Sequence, residues 1–592
     1  MVTTPPVVLP TALGSWCEAL FPPMNKGKER RLAQQLMNGQ VDLGNGGRYT
    51  LTERPDWKPQ STADTSGNRH VNSLNWALPL LYRGVHKQNA AMVERFRALL
   101  QYWIADHQGD RNKWVDASIY GGLRTQTLVC AAQTLNDPVI AQAALDDAAR
   151  MVNSFKRDPS VAVGANNTDL IRQTGALAAY CWAGDAVQKE VAWRNVVSVA
   201  RGTVMPDGSD VEGSPGYAMY MENLLSDVER AGNSCGLAPD EMRALRGLLY
   251  AFVAQAVRPD FSLASIGDTV NEAVRGNFGE GDLRADWVRT GGTTGSPPTP
   301  VYTAFDGGYV FGRSSWRAQD GTFYSVRYTS TRPATPHTHD DGASMTVFAK
   351  GVDWIGDPGP FRYDNSSSLR WYMKSRQAHS SFDVSNVKRL TRTGMVTKLN
   401  SRSDAETGGN DTTCVKDDSW NTVSVTRCIA YVRSVDAFVV VDTVTAEKAK
   451  GPKRKRKVPR VLTQRWQLPP QVLAASTGDG VVLTSGDAAM DIAKSFTPTD
   501  GPEAKWQESS WQVQTARPKS TTAWFTGTWG EKVPGSVLFR EVQIPRKGGA
   551  ATLVTVLVPR GAGEAVPVAV QDGQVSITRQ GSTVRVPLPQ PS

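Results

Sequence analysis

The chain carries six histidines, and three of them fall close together in its second half: His337, His339 and His379. His337-Thr-His339 puts two imidazoles on one face of an extended strand, because side chains alternate along a strand. Met345–Ala349 then reads as a strand, Lys350-Gly351 as a turn, and Val352–Ile355 as the strand that returns. That hairpin carries Asp357, in Gly356-Asp-Pro-Gly359, back to the end where His339 sits. His379 follows in Arg376-Gln-Ala-His. Two imidazoles and a carboxylate suit Zn²⁺ or Mn²⁺, with a fourth position left to water. His-x-His alone reads better as a pair of satisfied polar residues in a sandwich. The whole set, in a chain this poor in histidine, favours a metal.

Two further stretches are rich in polar chemistry. Asp207-Gly-Ser-Asp-Val-Glu-Gly-Ser-Pro-Gly-Tyr217 is a loop that feeds a helix starting near Tyr217, with Pro215 suited to the first turn. Taken alone, Tyr217 is an amphipathic packing residue. Gly164-Ala-Asn-Asn-Thr-Asp-Leu precedes another helix. One of Asn166 and Asn167 caps it, and a side-chain amide facing a cleft is the functional reading of the pair.

The elements that must hold these residues change character along the chain. Residues 1–60 are an irregular lead-in with one helical stretch, Lys26–Met37. Residues 61–290 repeat apolar side chains at three and four residues, as in Met92, Phe96, Leu99, Leu100, Trp103 and Ile104. Seven or eight such helices joined by short loops predict an α/α toroid or solenoid. Gly291-Gly-Thr-Thr-Gly-Ser-Pro-Pro-Thr-Pro300 is a linker by composition. Period-two patterns follow, in Tyr324-Ser-Val-Arg-Tyr and Phe438-Val-Val-Val among others. The fold class expected is multidomain α+β: an N-terminal α/α toroid followed by antiparallel β-sandwich layers. The sandwich occupies 300–450, and a C-terminal β domain occupies 458–592.

Composition narrows the partners. Of 592 residues, 40% are hydrophobic and 21% charged, which excludes wholesale disorder. The net charge of +9 favours an anionic partner without choosing one. No nucleic-acid module is present, so nucleic acid is not expected as a partner. No apolar run reaches the length of a membrane span. The first residues lack a basic n-region and a long apolar segment, so the chain is either not exported by that route or has lost a signal. There is no Cys-x-x-Cys, which argues against a thiolate zinc site. Cys414 and Cys428 flank Val-Lys-Asp-Asp-Ser-Trp-Asn, read as a hairpin turn, and could bridge it. Lys453-Arg-Lys-Arg-Lys457 reads as a solvated loop between β layers, or as a polyanion contact or a localisation signal.

The ordered set Asn-Asn, Glu212-x-Ser-Pro-x-Tyr217, His337-x-His-x-Asp341, Asp357-Pro-Gly and Arg376-x-Ala-His379 resembles the heparinase II/III-like polysaccharide lyases, a group that includes related alginate lyases. The resemblance covers about 70–440 and is strongest over 333–385. It implies the toroid-then-sandwich fold with a substrate cleft between the two, and β-elimination at a uronic acid. It implies Asn167 as the amide on the substrate carboxylate, and Tyr217 and His337 as catalytic. It implies His339, Asp357 and His379 as a metal set. The metal is expected to be zinc, with manganese or calcium as alternatives, in a structural rather than catalytic role. Asn166, Arg124, Arg370, Arg376 and Tyr372 are candidates to contact substrate. Thr168 departs from the pattern, since some members place histidine directly after the asparagine.

The chemistry is consistent with that set. Removing the C5 proton of a uronate builds charge beside a carboxylate, which an amide with His or Arg can neutralise. A phenol, ordinarily near pKa 10, can act as base beside a cation, and the same tyrosine or His337 can then give a proton to the leaving oxygen. The substrate expected is an acidic polysaccharide, glycosaminoglycan-like ahead of alginate, and the protein is expected to be secreted or extracellular, phage particles included. Two other functions compete. A glycoside hydrolase would need two carboxylates roughly 5–10 Å apart; Asp207, Asp210 and Glu212 are available for it but share one loop. A non-catalytic surface or phage glycan-binding protein would keep the scaffold without turnover. Oligomeric state is left open by the sequence.

Overall fold

Helices form where the apolar spacing places them. The structure, a computed structural model, describes residues 9–21, 23–42, 48–57, 70–107, 119–155, 166–274, 276–330, 335–390, 395–448, 458–478, 480–499 and 505–591. The basic run at 453–457 and most of the loop before Asn166 lie outside them. The chain divides into two units, Met1–Val204 with Tyr220–Gly247, and Met205–Met219 with Leu248–Ser592.

The first unit is helical. Its elements include Lys26–Met37, Leu78–His86, Ala90–His107, Ile119–Leu135, Pro138–Asn153, Asn167–Ala183 and Ala186–Thr203. Pro79 lies in the first turn of Leu78–His86, where its missing N–H costs nothing. Asp137 and Asp185 cap the helices that follow them, each accepting from two backbone N–H groups. Ile119–Leu135 packs against Asn167–Ala183 through two glycines. A Cβ on Gly122 would sit 2.3 Å from the Ile171 carbonyl oxygen, and one on Gly175 would sit 2.7 Å from that of Gly122. These helices meet backbone to backbone, a spacing only glycine permits. Cys17–Cys130 and Cys181–Cys235 staple the unit. The former ties the lead-in to helix Ile119–Leu135, so residues 1–60 are not a separate piece.

The second unit is mainly antiparallel sheet. One five-stranded sheet runs from Tyr302–Phe305 to Met345–Ala349 and Val352–Ile355. An eight-stranded sheet contains Val396–Ser403, Asp411–Trp420, Val423–Val432, Ala437–Ala446, Gly549–Gly561 and Ala488–Pro498, in that order, and then Gly480–Ser485 and Leu473–Thr477. A further sheet joins Phe382–Ser385, Arg460–Leu468 and Ser536–Ile544. Strand alternation sorts the core into layers. Phe438, Val440 and Val444 enter one cluster with Tyr324, Trp354 and Trp466. Val439 and Val441, on the opposite face, pack with Val575 and Ile577 of a small three-stranded sheet. Both faces are buried, which is why these strands read as continuous apolar runs.

Three boundary expectations change. Ala437–Ala446 pairs along its length with Gly549–Gly561, so the β layers do not divide at 450–458. The 291–300 segment is not a joint: Gly292 N and Ser296 N donate to the carbonyls of Trp287 and Leu283, folding it back over helix Leu283–Arg289. The unit division falls instead within helices Pro215–Ser234 and Asp240–Gln255, so 205–219 and 248–290 leave the helical unit. Cys414 and Cys428 do pair, directly opposite each other in the hairpin. The turn is Asn421-Thr422, however, and Val415–Trp420 is strand.

Candidate active site and metal-ligand set

The site of the second unit is built from three interlocked backbone segments. Ser214 starts helix Pro215–Ser234, its carbonyl accepting from Tyr217 N, and its hydroxyl meets Thr269 Oγ1 at 2.7 Å. Gly267 lies at φ +58°, and a Cβ there would come within 2.6 Å of the Gly213 oxygen and 2.9 Å of the His337 oxygen. Asp268 N donates to that same His337 oxygen at 3.2 Å. The His337–His339 stretch is therefore a turn held by 213–214 and 266–269, not a strand. Its two imidazoles are gathered by a carboxylate rather than by strand alternation.

That carboxylate is Asp268, which sequence reasoning missed. His337 Nδ1 and His339 Nε2 each lie 2.9 Å from one of its oxygens. Arg370 donates to both oxygens, at 2.6 and 2.9 Å. Burial alone would raise this acid, but hydrogen bonds from His337, His339 and Arg370 outweigh it and hold Asp268 well below the usual range. Arg370 is thus committed to Asp268 and to the Pro360 carbonyl.

Tyr217 stacks its ring on His337, with centroids 3.6 Å apart and planes inclined by 20°. Its hydroxyl is hydrogen-bonded to that of Tyr363, and Tyr363 Oη lies 3.3 Å from His337 Nδ1. Burial, then the charges of Asp268 and Tyr217, push the Tyr363 phenol well above its ordinary range. Trp529 packs edge-on to Tyr363 at 4.7 Å. Glu212 Oε2 stands 3.8 Å from His337 Nε2.

His339, Asp357 and His379 come together as expected. Each offers a ligand atom within 4.8 Å of the others, and all three residues are buried. Lys350 and Gly351 make the tight hairpin at φ +54° and +74° that returns the chain to Asp357. Proton placement fits a cation. His379 Nδ1 is 2.8 Å from the Ser375 carbonyl, so it donates there, and His339 Nε2 donates to Asp268. Each ring's other nitrogen, His339 Nδ1 and His379 Nε2, has no hydrogen-bond partner among the described residues. Burial lowers His339 to about 4, keeping it neutral, and pushes Asp357 up to about 7. Buried lone pairs and a carboxylate strained by burial are what a divalent cation relieves.

Other expected residues are placed differently. Arg124 is fully buried, 2.6 Å from Asp147 and stacked on Trp103, and Arg376 is buried against Asp340 and Asp417. Neither presents its charge to a ligand. The Tyr372 hydroxyl donates to the Gln377 carbonyl, and its ring packs against the cluster of Phe361, Leu369 and Met373. Asn166 is the cap of helix Asn167–Ala183, accepting from Asp169 N at 3.0 Å, and Asn167 opens the helix in the first unit. The hydrolase carboxylates are poorly placed. Asp207 ties Ser209 and Asp306 N, while Asp210 and Glu212 are buried.

Residues 297–549 match the family described as Heparinase II/III-like, C-terminal. This segment is a heparinase II/III-like C-terminal domain. The heparinase II/III-like domain holds both imidazole sets, whereas Tyr217 and Asp268 precede it. The whole chain is similar in fold to a heparinase III, with a TM-score of 0.75 at 12% identity over 98% of this chain and 93% of that one. It is also similar to heparan sulfate lyase HepC from Pedobacter heparinus, with a TM-score of 0.67 at 16% identity over 96% and 90%. A chondroitin AC lyase from Streptomyces coelicolor A3, in complex with chondroitin sulphate, gives 0.53 at 12% over 95% and 86%. These likenesses establish the helical toroid followed by antiparallel β layers. A search of curated proteins gives no match.

Proposed function

We propose that the protein is a polysaccharide lyase that cleaves a uronate-containing, glycosaminoglycan-like polymer by β-elimination. The observation that carries this reading is the Tyr217 phenol stacked on His337, hydrogen-bonded to a second phenol and backed by a buried Asp268–Arg370 pair. The fold it shares with heparan sulfate and chondroitin lyases supports the substrate class. In this reading Tyr217 takes the C5 proton and returns it to the leaving O4, while Tyr363 stabilises the phenolate by hydrogen bonding. His337, with Nδ1 held by Asp268, presents Nε2 to the reacting sugar. Asn167 is the proposed amide for the uronate carboxylate.

His339 Nδ1, His379 Nε2 and Asp357 would hold the metal, zinc ahead of manganese. Bound there, it supplies charge that fixes the two imidazoles and the Asp357 loop. The stripped protein is expected to take up about one Zn²⁺ per chain, and His379→Ala to bind it at least about tenfold more weakly in competition with a chromophoric chelator. Equal affinity in the two proteins would remove this set as the ligands.

All six cysteines are paired, which supports folding in an oxidising, extracytoplasmic compartment. Intact mass after alkylation without reductant is expected to show no modified cysteine; any free thiol in the purified protein would count against that localisation.

The function is tested by ultraviolet absorbance of the unsaturated uronate against hyaluronan, chondroitin sulfates, heparan sulfate, heparin, alginate and glucuronan. A rise on one polymer class is expected. New reducing ends with no absorbance would replace elimination by hydrolysis.

A further inference from the structure

Asp268 makes and breaks no bond in the reaction above, yet it is shared by the reacting imidazole and one of the metal-set imidazoles. Oδ2 faces His337 Nδ1 and Oδ1 faces His339 Nε2, each at 2.9 Å. Arg370 fills the remaining positions at 2.6 and 2.9 Å. A carboxylate has about four acceptor sites, so all are used. The side chain is fully buried, where charge-assisted bonds polarise one another and water does not substitute for a lost one. The carboxylate cannot adjust to one imidazole without affecting the other. The backbone makes the same link, because Asp268 N donates to the His337 carbonyl.

We infer that Asp268 is a positioning residue through which occupancy of the His339–Asp357–His379 set fixes the orientation of His337. With Nε2–H committed to Asp268, His339 is left with the Nδ1 lone pair facing Asp357 and His379. A cation on that lone pair locks the ring, and with it the donor to Oδ1. Without one, the hydrogen bond to Asp268 is its one polar hold among the described residues, besides packing against His379. Turning of His339 then removes a donor from Oδ1 and slackens the hold of Oδ2 on His337 Nδ1. Tyr217, Tyr363 and Glu212 also stand against His337. The inference rests on the lyase reading only for the role given to His337; the coupling itself does not depend on that role.

The test uses the full chain and Zn²⁺ alone. Diethylpyrocarbonate modification of His337 is followed by peptide mass spectrometry, in stripped and Zn²⁺-loaded protein. In the wild type, Zn²⁺ is expected to change the rate of His337 modification roughly fivefold, because it fixes the ring orientation and so the access of reagent to Nε2; couplings of this size are typical of linked sites. In Asp268→Asn, Zn²⁺ is expected to leave the rate unchanged and to bind about 10–100-fold more weakly. His379→Ala keeps Asp268 intact and is expected to show the stripped rate at any Zn²⁺ level that saturates the wild type. Should Asp268→Asn fail to fold, Arg370→Lys, which keeps the charge but loses the two-pronged hold, is expected to shrink the Zn²⁺ effect. The inference is overturned if Zn²⁺ binds the wild type without changing the His337 rate, if the effect persists in Asp268→Asn, or if no Zn²⁺ binds. Failure of the lyase reading would appear separately, as a flat absorbance trace in a protein that still shows the coupling.

Discussion

Tyr217→Phe is expected to lower turnover by about 10²–10⁴-fold, the range a positioned proton-transfer group contributes, while polymer binding stays within about twofold. The substitution keeps the ring that stacks on His337 at 3.6 Å and removes only the oxygen bonded to Tyr363. It therefore separates chemistry from packing. Initial rates of ultraviolet absorbance give the first quantity, and oligosaccharide titration of the folded variant gives the second. Retention of more than a tenth of wild-type turnover would show that another group takes the C5 proton. Loss of binding in parallel would show that the phenol orients substrate rather than reacting. Unchanged binding with no turnover in either protein, on every polymer, would leave the glycan-binding alternative.

Arg427→Met is the stability change with the largest expected cost. Arg427 is fully buried and meets both oxygens of Asp442 at 2.7 and 2.8 Å. Its remaining nitrogen donates to the carbonyls of Ala343 and Ser380, at 2.8 and 3.1 Å. Methionine fills much of the volume but leaves Asp442 buried without its cation, a loss of about 3–5 kcal/mol. Gln464 still donates to Asp442, which keeps the expectation at the lower end of that range. Denaturant unfolding followed by tryptophan fluorescence measures it; a change under about 1 kcal/mol would mean that Gln464 and relaxation suffice. Because Ser380 directly follows the metal-set His379, weaker Zn²⁺ binding is expected in the same variant.

Part of this site is legible in the sequence because its spacing is local. The hairpin from Met345 to Ile355 returns Asp357 to His339 by strand length and one tight turn, and His379 completes the set from a short segment further on. Helix Asn167–Ala183 is likewise legible, from its capping asparagine and apolar period. Asp268 and Tyr363 are not. Neither sits in a motif, and each acquires its role from contacts with residues far away in the chain. The arginines teach the same point. Arg124, Arg370 and Arg376 look alike in sequence, since nothing local distinguishes a guanidinium that would meet a substrate carboxylate from one that neutralises a buried aspartate. His337–His339 reads as strand because alternation at two residues cannot tell an extended chain from one bent around a shared carboxylate. A basic, proline-framed stretch at 450–458 resembles a domain joint, whereas pairing of Ala437–Ala446 with Gly549–Gly561 bridges more than a hundred residues.

That pairing also sets the order in which the protein can be made. Gly549–Gly561 lies in the middle of its sheet, between Ala437–Ala446 and Ala488–Pro498. During synthesis both neighbours leave the ribosome first, each with an unpaired edge of backbone N–H and C=O groups beside apolar side chains. Until the later strand arrives, the nascent chain carries two halves of a sheet without the piece that joins them. A fragment cut before Gly549 would keep both unpaired edges and lack the strand that joins them, which makes it prone to associate edge to edge with its own copies.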